Sequence, residues 1–373
     1  MGKKILIVST MPTHPTDAGN RAAIMAQVHI LQKMGHEVHF LFASMELSHS
    51  VDYDAMEKYW GEKLHVFTMN KILKIKRVFT DLWRKKVNHN YWTVDDHYPW
   101  GLENYVNRLN QKENFDACII QYYRLSHLLP AITIPRKAIF THDVFAYKDI
   151  RVGNVFYETL NAHEEAKAMQ RCPTIFAIQK DEAAYFRMIS PRSKVYTVYN
   201  PYQIHRAQFL NNKTLLYLAS RMDFNVTGIQ FFLDNVWPTL SKKIPDIKLM
   251  IGGSVCERIQ SQYNNVSLLG RVDNLEDFYS LGDIVVNPVY QGTGLKIKTF
   301  EALSFGKATH SMTGIYKSEQ APLLKASTAE EWIDVISDLI NTPRHIEELT
   351  HQSLQYIEEM NQYIVSQYSD FLK

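Results

Sequence analysis

Short unbroken apolar runs recur along this chain, each closed by polar residues and followed by a stretch of helical periodicity. KILIVS (4–9) leads through the polar loop TMPTHPTDAGN to RAAIMAQVHILQKMG, which has helical spacing, and then to EVHFLFAS. A strand without polar alternation is covered on both faces, the condition of a parallel sheet flanked by helices. DACIIQYY (116–123), KAIFTHD (137–143) and TIFAIQ (174–179) continue the series, with a helical stretch over 157–171 between the last two. The pattern then restarts. TLLYLAS, DIKLMIGGS, NVSLLGRV and DIVVNPV read as strands, while GIQFFLDNVWPTL, EDFYSLG and LKIKTFEALSFG read as helices. Two doubly wound α/β domains are expected, joined at Asn200-Pro201 and followed from about Arg344 by one or two polar helices.

A length of 373 residues agrees with more than one core, at roughly 150 residues per domain. The apolar share of 46% and charged share of 21% exclude global disorder. With 41 basic and 39 acidic residues the net charge is +2, so the molecule has no overall field for nucleic acid and no nucleic-acid partner is expected. Cys118, Cys172 and Cys256 are far apart and show no zinc spacing, which points to a reducing cytoplasm. No run approaches the roughly 18 apolar residues of a membrane span, and the first residues lack a cleavage-site pattern.

Glycine is scarce and unevenly spent. The 15 glycines are about 4% of the chain against a usual share of about 7%, and nine of them fall between Gly228 and Gly314. Crowding of this kind marks close backbone approach, either in tight βα turns or around a ligand. Within that region Gln291-Gly292-Thr293-Gly294-Leu295 precedes a helix whose first turn carries Lys296 and Lys298 and whose second carries Glu301. Free N–H groups, the positive end of the helix dipole and two lysines together make a site for a diphosphate. The plain alternative is a solvated helix start.

Both halves resemble a GT-B glycosyltransferase, and the second is similar to the large retaining family 4, in particular its bacterial polysaccharide and cell-surface glycan members. The likeness covers nearly the whole chain, but its specific motifs lie between Ser220 and Gly314. It implies two Rossmann-like domains facing a cleft: 1–202 on the acceptor side, 203–352 holding a nucleotide sugar, and 353–373 as a helix crossing back to the first. Glu301 would then accept hydrogen bonds from ribose hydroxyls. The family pattern has two glutamates separated by seven residues, and here the first position is Thr293.

The resemblance implies further roles. Arg221, after the first strand of the second half, matches a basic residue that approaches the donor phosphates; a strand-end salt bridge is the competing reading. The lysine that often follows is missing, since the chain reads Asp223 to Gly228 as DFNVTG. Gly252-Gly253 matches the glycine turn facing base and ribose, and Gly270-Arg271 the segment that binds the base. Asp283 reads as structural. In the first half Gly19 and Asn20 resemble the loop that meets the donor diphosphate and acceptor. His142 matches a histidine near the acceptor and donor sugar; Asp143 is an acceptor-side residue or a cap. Asp181 or Glu182 would cap the helix after TIFAIQ.

The implied chemistry is transfer of a hexosyl group from a UDP- or GDP-sugar, with retention, to a glycan or lipid-linked acceptor. Arg221, Lys298, Lys296 and a helix start would stabilise the leaving diphosphate in place of a metal ion, and no cofactor is implied. Asp95 and Asp96 are adjacent, not spaced as in the Asp-x-Asp metal motif of the other glycosyltransferase fold. A catalytically silent GT-B subunit that binds a partner enzyme is the alternative, motivated by Thr293 and the missing lysine; an epimerase or phosphorylase fits less well. The segment 71–86, from Lys71 to Lys86, carries seven Lys or Arg and one Asp among large apolar residues. That composition suits an interfacial helix on anionic lipid, so the chain is expected in the cytoplasm, peripherally on the inner face of the plasma membrane.

Overall fold

The computed structural model describes residues 2–16, 19–44, 51–69, 75, 78–79, 82–83, 86, 93–96, 98–152, 158–205, 209–259, 263–290, 297–311 and 321–373. The chain forms two compact units. One comprises Met1–Pro201 with Gln362–Lys373, and the other comprises Tyr202–Gly292 with Lys296–Asn361.

The first unit is built on seven parallel strands: β1 (Lys4–Ser9), β2 (Glu37–Ser44), β3 (Leu64–Thr68), β4 (Ala117–Gln121), β5 (Arg136–Phe140), β6 (Thr174–Ala177) and β7 (Lys194–Thr197). Their order is β3-β2-β1-β4-β5-β6-β7. The register sets Ile5 beside Val38 on one side and Ala117 on the other. The apolar runs read from the sequence are the central strands, and their side chains are buried on both faces. Helix α1 (Gly19–Lys33) packs its Ile24, Val28 and Leu31 inward.

Residues Gln362–Lys373 complete this unit. They are the end of a 30-residue helix, Pro343–Leu372, which is one element where the sequence left open one or two. The rings of Tyr368 and Phe371 meet Phe176 edge-on at 5.3 and 5.1 Å. Asp370 accepts from Lys194 Nζ at 2.6 Å and from the Tyr196 hydroxyl at 2.7 Å.

The second unit has six parallel strands: β8 (Thr214–Leu218), β9 (Lys248–Gly252), β10 (Val266–Gly270), β11 (Ile284–Asn287), β12 (Ala308–Ser311) and β13 (Leu323–Lys325). The order is β10-β9-β8-β11-β12-β13. One face is covered by a core that includes Phe232, Trp237, Trp332 and Leu339, the other by Phe278, Tyr279, Ala302 and Phe305. The helix expected to start at Gly228 starts at Asp223 and continues through a π turn at Phe232–Val236 into Trp237–Lys243. Both sheets are thus doubly wound, as the sequence pattern requires.

Candidate active site

In a doubly wound sheet, ligands collect outside the carboxyl ends of the strands where the strand order reverses. That point lies between β1 and β4 in the first sheet and between β8 and β11 in the second.

In the first unit β4 and β5 end side by side and the chain bends sharply after each. Tyr122 has φ +67 and ψ 156, and His142 has φ +62, conformations that cost a non-glycine residue about 1–3 kcal/mol. Their rings stack 4.2 Å apart at 18°. Tyr122 also hydrogen-bonds the Asn20 side chain, whose Oδ1 accepts the Arg21 N–H at 2.9 Å just after Gly19 opens α1. Tyr122 therefore brings together Asn20 and His142, which the sequence left on separate loops. His142 Nε2 bonds Gln121 Oε1 at 2.7 Å, and burial lowers its pKa to about 3. The imidazole is neutral at physiological pH. Asp143 accepts from the Val144 N–H at 2.8 Å and pairs with Lys148 at 2.6 Å, closing a local turn.

Two buried carboxyls lie nearby. Glu165 accepts from the Phe145 and Ala146 N–H groups at 2.7 and 3.0 Å and from the Tyr185 hydroxyl at 2.8 Å. Glu182 was expected to cap a helix; instead Gln179 is the N-cap residue of α2 (Lys180–Ile189), and its side-chain amide donates to Glu182 Oε1 at 3.0 Å. The second oxygen of Glu182 is buried without a hydrogen-bond partner among the described residues. Burial first, then the charges of Asp143 and Glu165, push Glu182 up to about 8, so it is mostly protonated at neutral pH.

In the second unit the ends of β8, β9 and β10 are pinned to one another. Gly253 N–H donates to Gly270 O at 2.6 Å, Ala219 N–H to Gly252 O at 3.1 Å, and Arg221 N–H to Ser254 Oγ at 3.1 Å. Gly253 has φ +92, and a Cβ there would lie 2.1 Å from Ala219 O. At Gly228 a Cβ would lie 2.9 Å from Pro288 O. These glycines let helix and turn backbones pass close to neighbouring strands, which accounts for much of the crowding without a ligand. Arg221 is 69% exposed and pairs with Glu257 at 3.2 Å; Arg271 is 89% exposed and pairs with Asp273 at 2.7 Å. Asp283 accepts from the Leu210 and Asn211 N–H groups at 3.0 and 2.7 Å, a structural tie as read from the sequence.

Lys298 and Glu301 stand one turn apart on α3 (Ile297–Ser304), which follows β11. Glu301 Oε1 accepts from the Tyr279 hydroxyl at 2.9 Å. Burial raises the pKa of Glu301 and lowers that of Lys298, and the charge of each opposes the shift of the other. Asn287, the last residue of β11, ties to Thr299 at 2.8 Å and fixes the helix start against the strand end. Gly292, Thr293, Gly294, Leu295 and Lys296 lie outside the described residues. A cavity of about 500 Å³ lined by His205, Glu276, Tyr279, Phe305 and Lys307, among others, contains none of the residues picked from the sequence.

Of the segment 71–86 only Ile75, Val78, Phe79, Leu82, Trp83 and Lys86 are described; the five apolar residues are 52–71% exposed. Among the described residues no group of three or more His, Cys, Asp or Glu is suited to a metal ion, and no helix is long and apolar enough to cross a membrane.

The two sheets and their strand orders are those of the GT-B fold, and solved structures of that architecture superpose on the chain. TarM matches with a TM-score of 0.70 at 10% identity, covering 100% of this chain and 99% of its own. HepE from Anabaena in complex with UDP matches with a TM-score of 0.68 at 12% identity, covering 98% and 100%. The pneumococcal O-GlcNAc transferase GtfA in complex with UDP and GlcNAc matches with a TM-score of 0.63 at 10% identity, covering 100% and 99%. Residues 212–342, within the second unit, match the family model of glycosyl transferases group 1. A Klebsiella pneumoniae protein of the cps region, itself uncharacterized, is 23% identical over 324 residues, 80% of each chain.

Proposed function

We propose that this protein transfers a hexosyl group from a nucleotide-diphosphate sugar, UDP- or GDP-linked, to a glycan or lipid-linked acceptor, with retention and without a metal ion, as in family 4. The observation that carries the reading is the coincidence of the group 1 match over 212–342 with the half-buried Lys298 and Glu301, one turn apart on the helix following β11, beside the switch point of that sheet. Lys298 with Arg221, Lys296 and the helix start take the diphosphate; Glu301 takes the ribose; Gly252, Gly253 and Arg271 line the base; Gly19, Asn20, His142 and Asp143 lie on the acceptor side. UDP bound in the HepE structure, and UDP with GlcNAc in the GtfA structure, support that ligand class. The similarity to a cps-region protein supports a role in polysaccharide synthesis. The segment 71–86 rests on anionic lipid at the cytoplasmic face of the membrane.

A thermal-shift screen against UDP, GDP, ADP and their sugars tests the donor class, because a ligand of the folded state raises its apparent stability. Transfer assays with the binding donor follow, with and without a chelator. Absence of any nucleotide-sugar binding would overturn the proposal. The pairing of Arg221 with Glu257, together with Thr293, favours a second reading, a silent subunit serving a partner enzyme; sugar transfer by the purified chain alone eliminates it.

A further inference from the structure

Behind His142 runs a chain of buried polar side chains that leads to the C-terminal helix. Gln121 Oε1 takes the bond from His142 Nε2 at 2.7 Å. Gln121 Nε2 donates to Gln27 Oε1 at 2.8 Å, and Gln27 Nε2 donates to the Tyr368 hydroxyl at 2.8 Å. Gln121, Gln27 and Tyr368 are each no more than 2% exposed, and the first two stand among apolar neighbours on β4 and α1. Buried amides are kept where every polar atom has a partner, and a chain of them polarises in one direction.

The orientation of the two amides determines the state of the histidine. With Gln121 Nε2 given to Gln27, Gln121 turns its oxygen to His142, and because an amide oxygen only accepts, the hydrogen between them in this orientation comes from the imidazole. We infer that the Gln121–Gln27–Tyr368 chain holds His142 as the neutral Nε2–H tautomer and leaves Nδ1 as a hydrogen-bond acceptor for a substrate hydroxyl. His142 Nδ1 makes no hydrogen bond among the described residues. Stacking on Tyr122 and the left-handed backbone at His142 fix the plane of the ring, so the lone pair has a set direction. His142 then binds and orients without exchanging protons. Gln121, Gln27 and Tyr368 are positioning residues, the last of them supplied from residues 362–373. The substrate-hydroxyl part rests on the glycosyl-transfer reading; the tautomer does not.

The test is long-range ¹H–¹⁵N spectroscopy of the full chain labelled with ¹⁵N-histidine, His142 being identified by the loss of its signals in His142→Asn. The expected spectrum has Nε2 protonated and Nδ1 bare, unchanged from pH 5 to 9. Tyr368→Phe keeps the ring and its packing but frees the far end of the chain, and Gln121→Met removes the acceptor. In both the tautomers are expected to mix. With a donor in hand, kcat/KM falls about tenfold in Tyr368→Phe, the size expected when one buried hydrogen bond is lost. An Nδ1–H tautomer or an imidazolium in the wild type overturns the inference, as does an unchanged tautomer in both variants when each unfolds at near wild-type temperature. Failure of every nucleotide sugar to bind would sink the functional proposal and leave the spectroscopic result standing.

Discussion

The Tyr279 hydroxyl donates to Glu301 Oε1 across the gap between two helices on the same face of the second sheet, at 2.9 Å. The bond stabilises the carboxylate against the burial that raises its pKa. Tyr279→Phe removes this support and leaves the ring stacking on Phe305 in place. The pKa of Glu301 then rises further, so the pH below which nucleotide affinity is lost moves upward. Isothermal titration with the preferred nucleotide between pH 5 and 8 should show that shift, with a weakening of about tenfold at the acid end. Glu301→Ala and Lys298→Ala should abolish transfer at all pH values. Identical pH profiles for wild type and Tyr279→Phe would contradict the assignment.

Glu182 makes a stability prediction with a definite sign. Its pKa is 4.5 when unfolded and about 8 when folded, so between those values the folded state holds the extra proton. Stability from this group is fully present below pH 4.5 and drains away as pH rises toward 8. Glu182→Gln keeps the shape and carries no titrating proton. Urea unfolding should show the variant gaining on wild type from pH 5 to 8.5 by on the order of 2–4 kcal/mol. A constant difference across that range would show that Glu182 is ionised in the folded protein.

Two glycines of the second unit should respond very differently to one methyl group. At Gly253 the new Cβ would meet Ala219 O at 2.1 Å; at Gly270, with φ +67, it would meet nothing within 4 Å. Gly270→Ala carries only the left-handed backbone cost of about 1–2 kcal/mol. Gly253→Ala adds a backbone clash, so a loss above about 4 kcal/mol is expected, enough to unfold a marginal domain. Differential scanning calorimetry of the pair gives the comparison, and equal shifts would refute it.

Ile75, Val78, Phe79, Leu82 and Trp83 fall at helical spacing and are all exposed, within a segment of seven cations. Flotation with vesicles containing anionic lipid should carry the protein at low salt and release it at high salt. Charge reversal at Arg84, Lys85 and Lys86 should weaken binding severalfold. Equal flotation of the reversed variant with the wild type, or equal binding to neutral vesicles, would argue against the membrane surface.

Most inner strands were legible because each is a run of apolar residues with both faces covered; ATHS, the short β12, was not, since polar residues break its run. Of the edge strands only NVSLLGRV was read: LHVFT and KVYT carry polar residues on exposed positions, and LLK is too short to show a period. Lys298 and Glu301 could be picked from the spacing around the glycine pair, since a helix start has a local signature. Tyr122, Gln27, Gln121 and Tyr368 could not, because what joins them is sheet order and the return of a distant helix. A trace existed all the same: Gln27 interrupts an apolar helix face, and Gln121 closes an otherwise apolar strand. A polar side chain in such a place is costly unless partnered, and its partner need not be near in sequence.

The docking of Gln362–Lys373 on the first unit has a consequence for the order in which the protein can mature. A nascent chain that has delivered residues 1–201 holds all seven strands of the first sheet, yet Phe176 still lacks the rings of Tyr368 and Phe371, and Gln27 lacks its hydroxyl partner. That unit stays unfinished on the ribosome until some 160 further residues, which include the whole of the second unit, have been translated. Products that stop short of Gln362 would therefore carry His142 on an incomplete support, so the first unit is assembled in full only after residues on the far side of the second have been made.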